Sequence, residues 1–341
     1  MNLYRLPAAA LGLAVALTAA PALAQPAADF YRGKTVTIVI GFSAGGTYDL
    51  FGRLVARHIG KHLPGNPTVI AQSMPGAGSF VATNWLYSVA PKDGTAMAIV
   101  SQTIVMEEAL NNKGVRYKSA EFNWIGRATS NNEIHVIWHT SKGTTIEGAK
   151  TAEIPVASTG PGSPSETYPK LLNALVGTKF KIIRGYTGST AGLLAMERGE
   201  VDGALTSWNT MKTTRKAQLD EKKAFIPVQY LLKRSPDLAN IPAVVELATN
   251  EADRQLLTFA AASADIGRAF IAPPGLPADR VKTLRDAFDA TMKDPELLAE
   301  VNKAQLDFEP APAAVLEQLV KVTLATPTEL IARMEKILAA E

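Results

Sequence analysis

The residues best equipped for chemistry lie in a short glycine-rich run near the start of the chain. Gly41-Phe42-Ser43-Ala44-Gly45 has the G-x-S-x-G spacing of a nucleophile elbow, in which a strained strand-to-helix turn exposes a serine hydroxyl. Such a serine needs a histidine base and an acid later in the chain. The sequence holds four histidines; outside the elbow's own helix these are His135 and His139, with none beyond. A hydrolase of this type also places several strands before its elbow, whereas here the run Val36 to Ile40 is the first strand of the exported chain. A serine hydrolase using Ser43 therefore stands as the alternative, and the expectation is that the protein is not an enzyme and has no catalytic residues.

The same residues serve a second chemistry. A glycine-rich turn entering a helix presents unpaired backbone N–H groups and the positive helix end, which hold a carboxylate or phosphate without a charged side chain. Gly45 and Gly46 let the backbone approach, while Ser43 and Thr47 add hydroxyl donors. Gly76-Ala77-Gly78-Ser79 and Gly162-Ser163-Pro164-Ser165 repeat the device. One such turn is more often just a tight connection; three at strand ends, with little catalytic equipment, point to binding.

The remaining candidates are weaker. Asp49, four residues before Arg53, reads as a helix-stabilising pair. His58 and His62 share a helix face but have no third ligand at metal spacing, so they read as surface histidines; His135 and His139 are read the same way, and no metal or cofactor is expected. Tyr186, Trp208 and Phe42 can wall a cleft or fill a core. Arg184, just after an apolar strand, can pair with a ligand carboxylate or with an acidic neighbour.

The elements that must position these residues alternate. Val36–Ile40, Pro67–Gln72 and Thr95–Ser101 read as strands, with helices after the first glycine turn and over Phe80–Val89. A second set follows: strands Ile134–Trp138, Ile154–Ala157, Phe180–Ile183 and Val201–Thr206, with helices Glu166–Val176 and Thr190–Arg198. A short strand at Ala269–Ala272 precedes amphipathic helices from Ala278 and near Pro312 that return to the first lobe. Crossovers near Trp124–Ser130 and Ser263–Ala269 join the two sets. The pattern is a layered α/β architecture, with ligand at the carboxyl ends of the strands.

Composition limits the rest. Arg5, an apolar stretch to Ala20 and Ala22-Leu23-Ala24 have the order of an export signal cleaved after about Ala24. Removing 24 of the 341 residues leaves 317, enough for two domains. Cysteine is absent, the formal net charge is only +3 with mixed signs and no later segment approaches membrane length without charges, so neither a disulfide scaffold, nor nucleic-acid binding, nor membrane embedding is expected. The basic stretch from Lys212 to Lys223 also carries Asp220 and Glu221 and reads as a solvated helix face.

Taken together, the residues resemble the substrate-binding proteins of the tripartite tricarboxylate transporter family, the Bug-type periplasmic receptors. The matching stretches are Tyr31-Arg32-Gly33-Lys34, Phe42 to Asp49 with Arg53, Pro75 to Ser79 and Ala90 to Thr95. Tyr186 to Ser189, Arg198 to Asp202 and Ile271 to Pro277 complete the set. The resemblance implies an α/β, two-lobed periplasmic binding protein (type II, Venus flytrap) with a mainly parallel sheet in each lobe and helices around it. The implied division is a signal peptide over 1–24, lobe I over 25–128, lobe II over 129–265 and a return to lobe I over 266–341. It implies a ligand of the small carboxylate class, di- or tricarboxylate or aromatic acid, delivered by a periplasmic monomer to membrane transporter subunits. A ligand-presenting subunit of a sensor system is the other alternative. By carry-over Phe42, Gly45, Gly46, Thr47, Gly78 and Ser79 line the cleft from lobe I, with Thr103 near the hinge. Ser163, Ser165, Tyr186 and Thr187 face them from lobe II; Ser43, Arg184 and Trp208 join on the residue arguments above. The family's usual Val-Pro-Tyr-Lys-Gly turn is Arg184-Gly185-Tyr186-Thr187-Gly188 here, and its Phe-Asp-Asn stretch is Leu205-Thr206-Ser207-Trp208-Asn209.

Overall fold

The computed structural model describes residues 30–339, so the expected export signal lies outside the described residues. Along the chain the strands are β1 (Thr35–Ile40), β2 (Thr68–Ser73), β3 (Ala96–Ile99), β4 (Asn123–Arg127), β5 (Glu133–Trp138) and β6 (Ile154–Ser158). Then follow β7 (Phe180–Arg184), β8 (Gly203–Ser207), β9 (Ala224–Phe225), β10 (Ala269–Ala272) and β11 (Ala311–Pro312). They form two sheets, ordered β11-β4-β10-β3-β1-β2 and β7-β6-β8-β5-β9, each covered by helices.

The first sheet is nucleated by β1, whose Val36, Ile38, Val39 and Ile40 are all buried, as the unbroken apolar run demands. It pairs in parallel with β2 and β3, and helices Thr47–Ile59 and Phe80–Ser88 make the crossovers. Phe51, Leu54, Val55 and Ile59 press the first helix onto the sheet. Gly52 allows that approach: a Cβ there would stand 2.8 Å from the Ile40 side chain.

Both sheets are mixed, because returning strands enter against the parallel set. β10 slots between β3 and β4, antiparallel to each, and β5 runs antiparallel to β8 and β9 in the second sheet. The chain crosses between sheets after β4 and again before β10. Trp124, which the sequence places in a crossover, lies instead in β4 with its indole buried and donating to the Ser119 carbonyl. The strand is disguised by Gly126, where a Cβ would come 2.4 Å from the Phe288 ring.

One helix departs from the expected return to the first lobe. Helices Ala278–Thr291 and Ala313–Leu324 bury Leu284, Phe288, Leu316 and Val320 in the first-sheet cores. Helix Thr328–Ala339 instead sends Ile331 and Met334 into the core of the second sheet, and Lys170 Nζ donates to the Leu338 carbonyl at 2.7 Å. Amphipathic spacing alone does not say which apolar face a helix meets. Among the described residues no helix is long and apolar enough to cross a membrane. Met334→Ala should therefore destabilise the protein by about 2–5 kcal/mol, the range for emptying a fully buried Met site, read as a lowered urea midpoint. A loss well under 1 kcal/mol would show that this helix is not part of the second core.

Candidate ligand cleft

The two sheets point the carboxyl ends of β1, β3, β6 and β8 at one another, and the loops that follow them meet. After β1, the loop Gly41–Gly46 turns into helix Thr47–Ile59. Asp49 holds that loop: it accepts from the Gly45 N–H at 3.0 Å and from Arg53 Nε at 2.7 Å. The Ser43 N–H reaches across to the Thr187 carbonyl at 3.2 Å. Gly78 N–H donates to the Thr159 carbonyl at 3.2 Å, and Thr103 Oγ1 donates to the Gly162 carbonyl at 2.9 Å. Thr47 Oγ1 hydrogen-bonds the hydroxyls of Ser207 and Thr210. The lobes are therefore closed on each other, backbone to backbone.

These contacts surround a small cavity. Of the expected residues, Phe42, Ser43, Gly46, Thr47, Ser165 and Tyr186 line it. Gly45, Gly78, Thr103, Ser163 and Thr187 lie in the lobe contact beside it. At Gly78 a Cβ would stand 2.9 Å from the Pro161 carbonyl oxygen and the Ser163 nitrogen, and φ is +62°, so only glycine fits this approach. Ser79 is buried behind the wall, its Oγ accepting from the Ser101 N–H at 3.2 Å. Arg184 lies outside the lining; its guanidinium grips Glu166 through Nε at 2.9 Å and Nη2 at 2.6 Å. Trp208 also lies outside, with Nε1 donating to Asp237 at 2.8 Å.

Two of the lining residues not anticipated are charged. Arg268 and Glu133 line the cavity, Arg268 from just before β10 and Glu133 at the start of β5. The guanidinium lies 3.8 Å over the ring of Tyr48, which itself stacks on Phe42 at 4.6 Å. Burial raises the Glu133 carboxyl above its usual range, opposed by the Arg268 charge and the Asn131 hydrogen bond. The available signal was an arginine abutting a fully apolar strand, the same cue that drew attention to Arg184. Gly188 and Ser189, at the second lobe's own helix start, complete the wall opposite Gly46.

The histidines are engaged elsewhere. His58, expected at the surface, is buried against Glu300 at 2.8 Å and ties the first helix to helix Pro295–Lys303, while His62, in the turn after the first helix, contacts the N-cap Asp294 of that same helix at 2.7 Å. His58, Asp294 and Glu296 converge within 4.8 Å, but Lys61 Nζ lies 2.7 Å from both carboxylates and supplies the cation itself. His135 is buried in the second lobe, stacked on Phe180 and bonded to Tyr230 at 2.8 Å, and burial depresses its pKa to about 3. His135 thus stands against Tyr230 and Phe180 rather than in the lining that holds Ser43.

Residues 51–335 match the family profile described as the tripartite tricarboxylate transporter family receptor. The chain belongs to that family. Among curated proteins it is 27% identical to the UPF0065 protein in the TAR-I ttuE-ttuC' intergenic region of Agrobacterium vitis, over 95% of this chain and 91% of that one. It is 38% identical to the UPF0065 protein in the gbd 5'region of Cupriavidus necator, over 96 residues that are 28% of each. Among solved structures, the periplasmic binding protein BugD superposes with a TM-score of 0.70 at 21% identity, covering 90% of this chain and 98% of that one. MatC from Rhodopseudomonas palustris with bound malate gives 0.67 at 20% identity, covering 89% and 99%. A further R. palustris protein, with adipate, gives 0.68 at 18%, covering 89% and 97%. These establish the two-lobed fold of this family receptor.

Glu107 sits at the lobe contact beside Gly162 and has a testable titration. Burial pushes its carboxyl from 4.5 to about 7, against hydrogen bonds from Asn112 and Thr167. The folded state thus holds the proton more tightly than the unfolded chain. This group's contribution is fully present below about pH 4.5 and lost as pH rises through about 7. Glu107→Gln should gain on the wild type as pH rises from about 5 to 8, by at most about 3 kcal/mol at about 1.4 kcal/mol per unit. Urea midpoints at each pH measure it; a pH-independent difference would sink the assignment.

Proposed function

We propose that this protein is a periplasmic solute receptor that captures a small carboxylate between its lobes and delivers it to the membrane subunits of a tripartite tricarboxylate-type transporter. In this reading the N-terminal segment is an export signal removed after about Ala24, and Phe42, Ser43, Gly46, Thr47, Ser165 and Tyr186 contact the ligand. The observation that carries it is one cavity lined from both lobes by glycine-rich turns and hydroxyls at strand and helix ends, the arrangement that holds a carboxylate through backbone N–H groups. Relatives of the same fold hold malate and adipate.

Delivery by lobe closure requires a ligand that touches both lobes, since only a higher affinity for the closed form shifts the hinge equilibrium. Gly46 is the most exposed point of this logic. A Cβ there would already lie 3.1 Å from Ser189 Oγ of the opposite lobe, so a larger side chain wedges the lobes and fills the approach. In a thermal-shift screen of mono-, di- and tricarboxylates, aromatic ones included, the wild type should gain about 2.7 kcal/mol from a ligand at 100 times its Kd. Gly46→Leu should fold and show no ligand-dependent shift. Unchanged stabilisation in that variant refutes the cleft assignment.

A further inference from the structure

Four side-chain atoms bordering the cavity are buried without any hydrogen-bond partner: Arg268 Nε and Nη1, Glu133 Oε2 and Thr206 Oγ1. Arg268 is 2% exposed and Glu133 6%. The remaining guanidinium nitrogen, Nη2, donates to Asn131 Oδ1 at 2.6 Å, and the Tyr48 ring beneath fixes the plane. Asn131 in turn donates Nδ2 to Glu133 Oε1 at 2.9 Å. Each charged group is thus anchored by one atom and left open at another. Buried polar atoms are otherwise almost always paired, and buried charges more so. An orphaned set at the wall of a ligand cavity marks where ligand atoms belong.

Among the described residues, Arg268 and Glu133 are also the only formally charged side chains in the lining. We propose that this pair makes the cleft select a monocarboxylate that also carries a hydrogen-bond donor, an amino or hydroxyl group, over di- and tricarboxylates. Arg268 offers N–H donors to the carboxylate, and Glu133 Oε2 accepts from the donor. A second carboxylate in the same space would meet the Glu133 charge in a water-poor site, where like charges repel strongly. The inference rests on the carboxylate-receptor reading above and narrows it to a ligand class.

Isothermal titration with two size-matched sets of acids tests it. One set is L-alanine, L-lactate, propionate and malonate; the other is L-phenylalanine, 3-phenyllactate, 3-phenylpropionate and benzylmalonate. In at least one set the amino or hydroxy acid should bind tenfold or more tighter than both the acid without a donor and the dicarboxylate, and which of the two wins identifies the donor. Arg268→Gln should weaken every acid at least tenfold. Glu133→Gln, nearly isosteric, should narrow the gap to the dicarboxylate, and it keeps the proposal testable if the arginine variant does not fold. A dicarboxylate binding tightest to the wild type, or acid preferences unchanged by Glu133→Gln, overturns the charge selection while leaving the receptor reading standing. No binding of any acid in either set, or of citrate, overturns both.

Discussion

The close meeting of main chain with main chain across the cleft is the constraint on which the rest of this protein depends. Gly78 against Thr159, Ser43 against Thr187 and the Thr103 hydroxyl against the Gly162 carbonyl bring the lobes within hydrogen-bond distance. Such contacts leave no room for side chains, which is why the loops at these strand ends are built from glycine, serine and threonine. Parallel strands followed by helices place those loops side by side. The sheet cores are the rigid bodies that aim them.

The charged floor of the cleft shares its residues with the joints between lobes. Asn131 and Glu133 lie on the first crossing and Arg268 on the second, while Gln102, bonded to Asn131, follows β3. A hydrogen-bonded chain therefore runs from one connector through the cavity floor to the other. Residues that line the cavity and residues of the crossings between the sheets are therefore neighbours, joined by contacts a few ångströms long. Tyr48 links this network to the first glycine loop through its stack with Phe42 and its contact with Arg268.

Most of the first lobe was legible because apolar runs such as Val36–Ile40 and glycine turns are local signals. The glycine loops were legible as strand-to-helix turns for the same reason, and Phe42, Gly46 and Thr47 line the cavity. What stayed hidden was set by distant partners. Gly126 reads as a loop residue until Phe288 is seen against it. Arg184 and Arg268 both flank apolar strands, yet one meets Glu166 at the rim and the other lies over Tyr48 in the floor. The difference lies in tertiary neighbours, which no local pattern carries. His58 likewise reads as a surface group until helix Pro295–Lys303 supplies Glu300.

The last helix changes how the two halves can move. Helix Ala313–Leu324 belongs to the first core and helix Thr328–Ala339 to the second, and only the short stretch 325–327 spans them. Three residues reach at most about 10 Å when drawn straight. That stretch is a third tether beside the two sheet-to-sheet connectors, so the chain links the two cores at three places. A wider gape requires peeling the final helix from its seat.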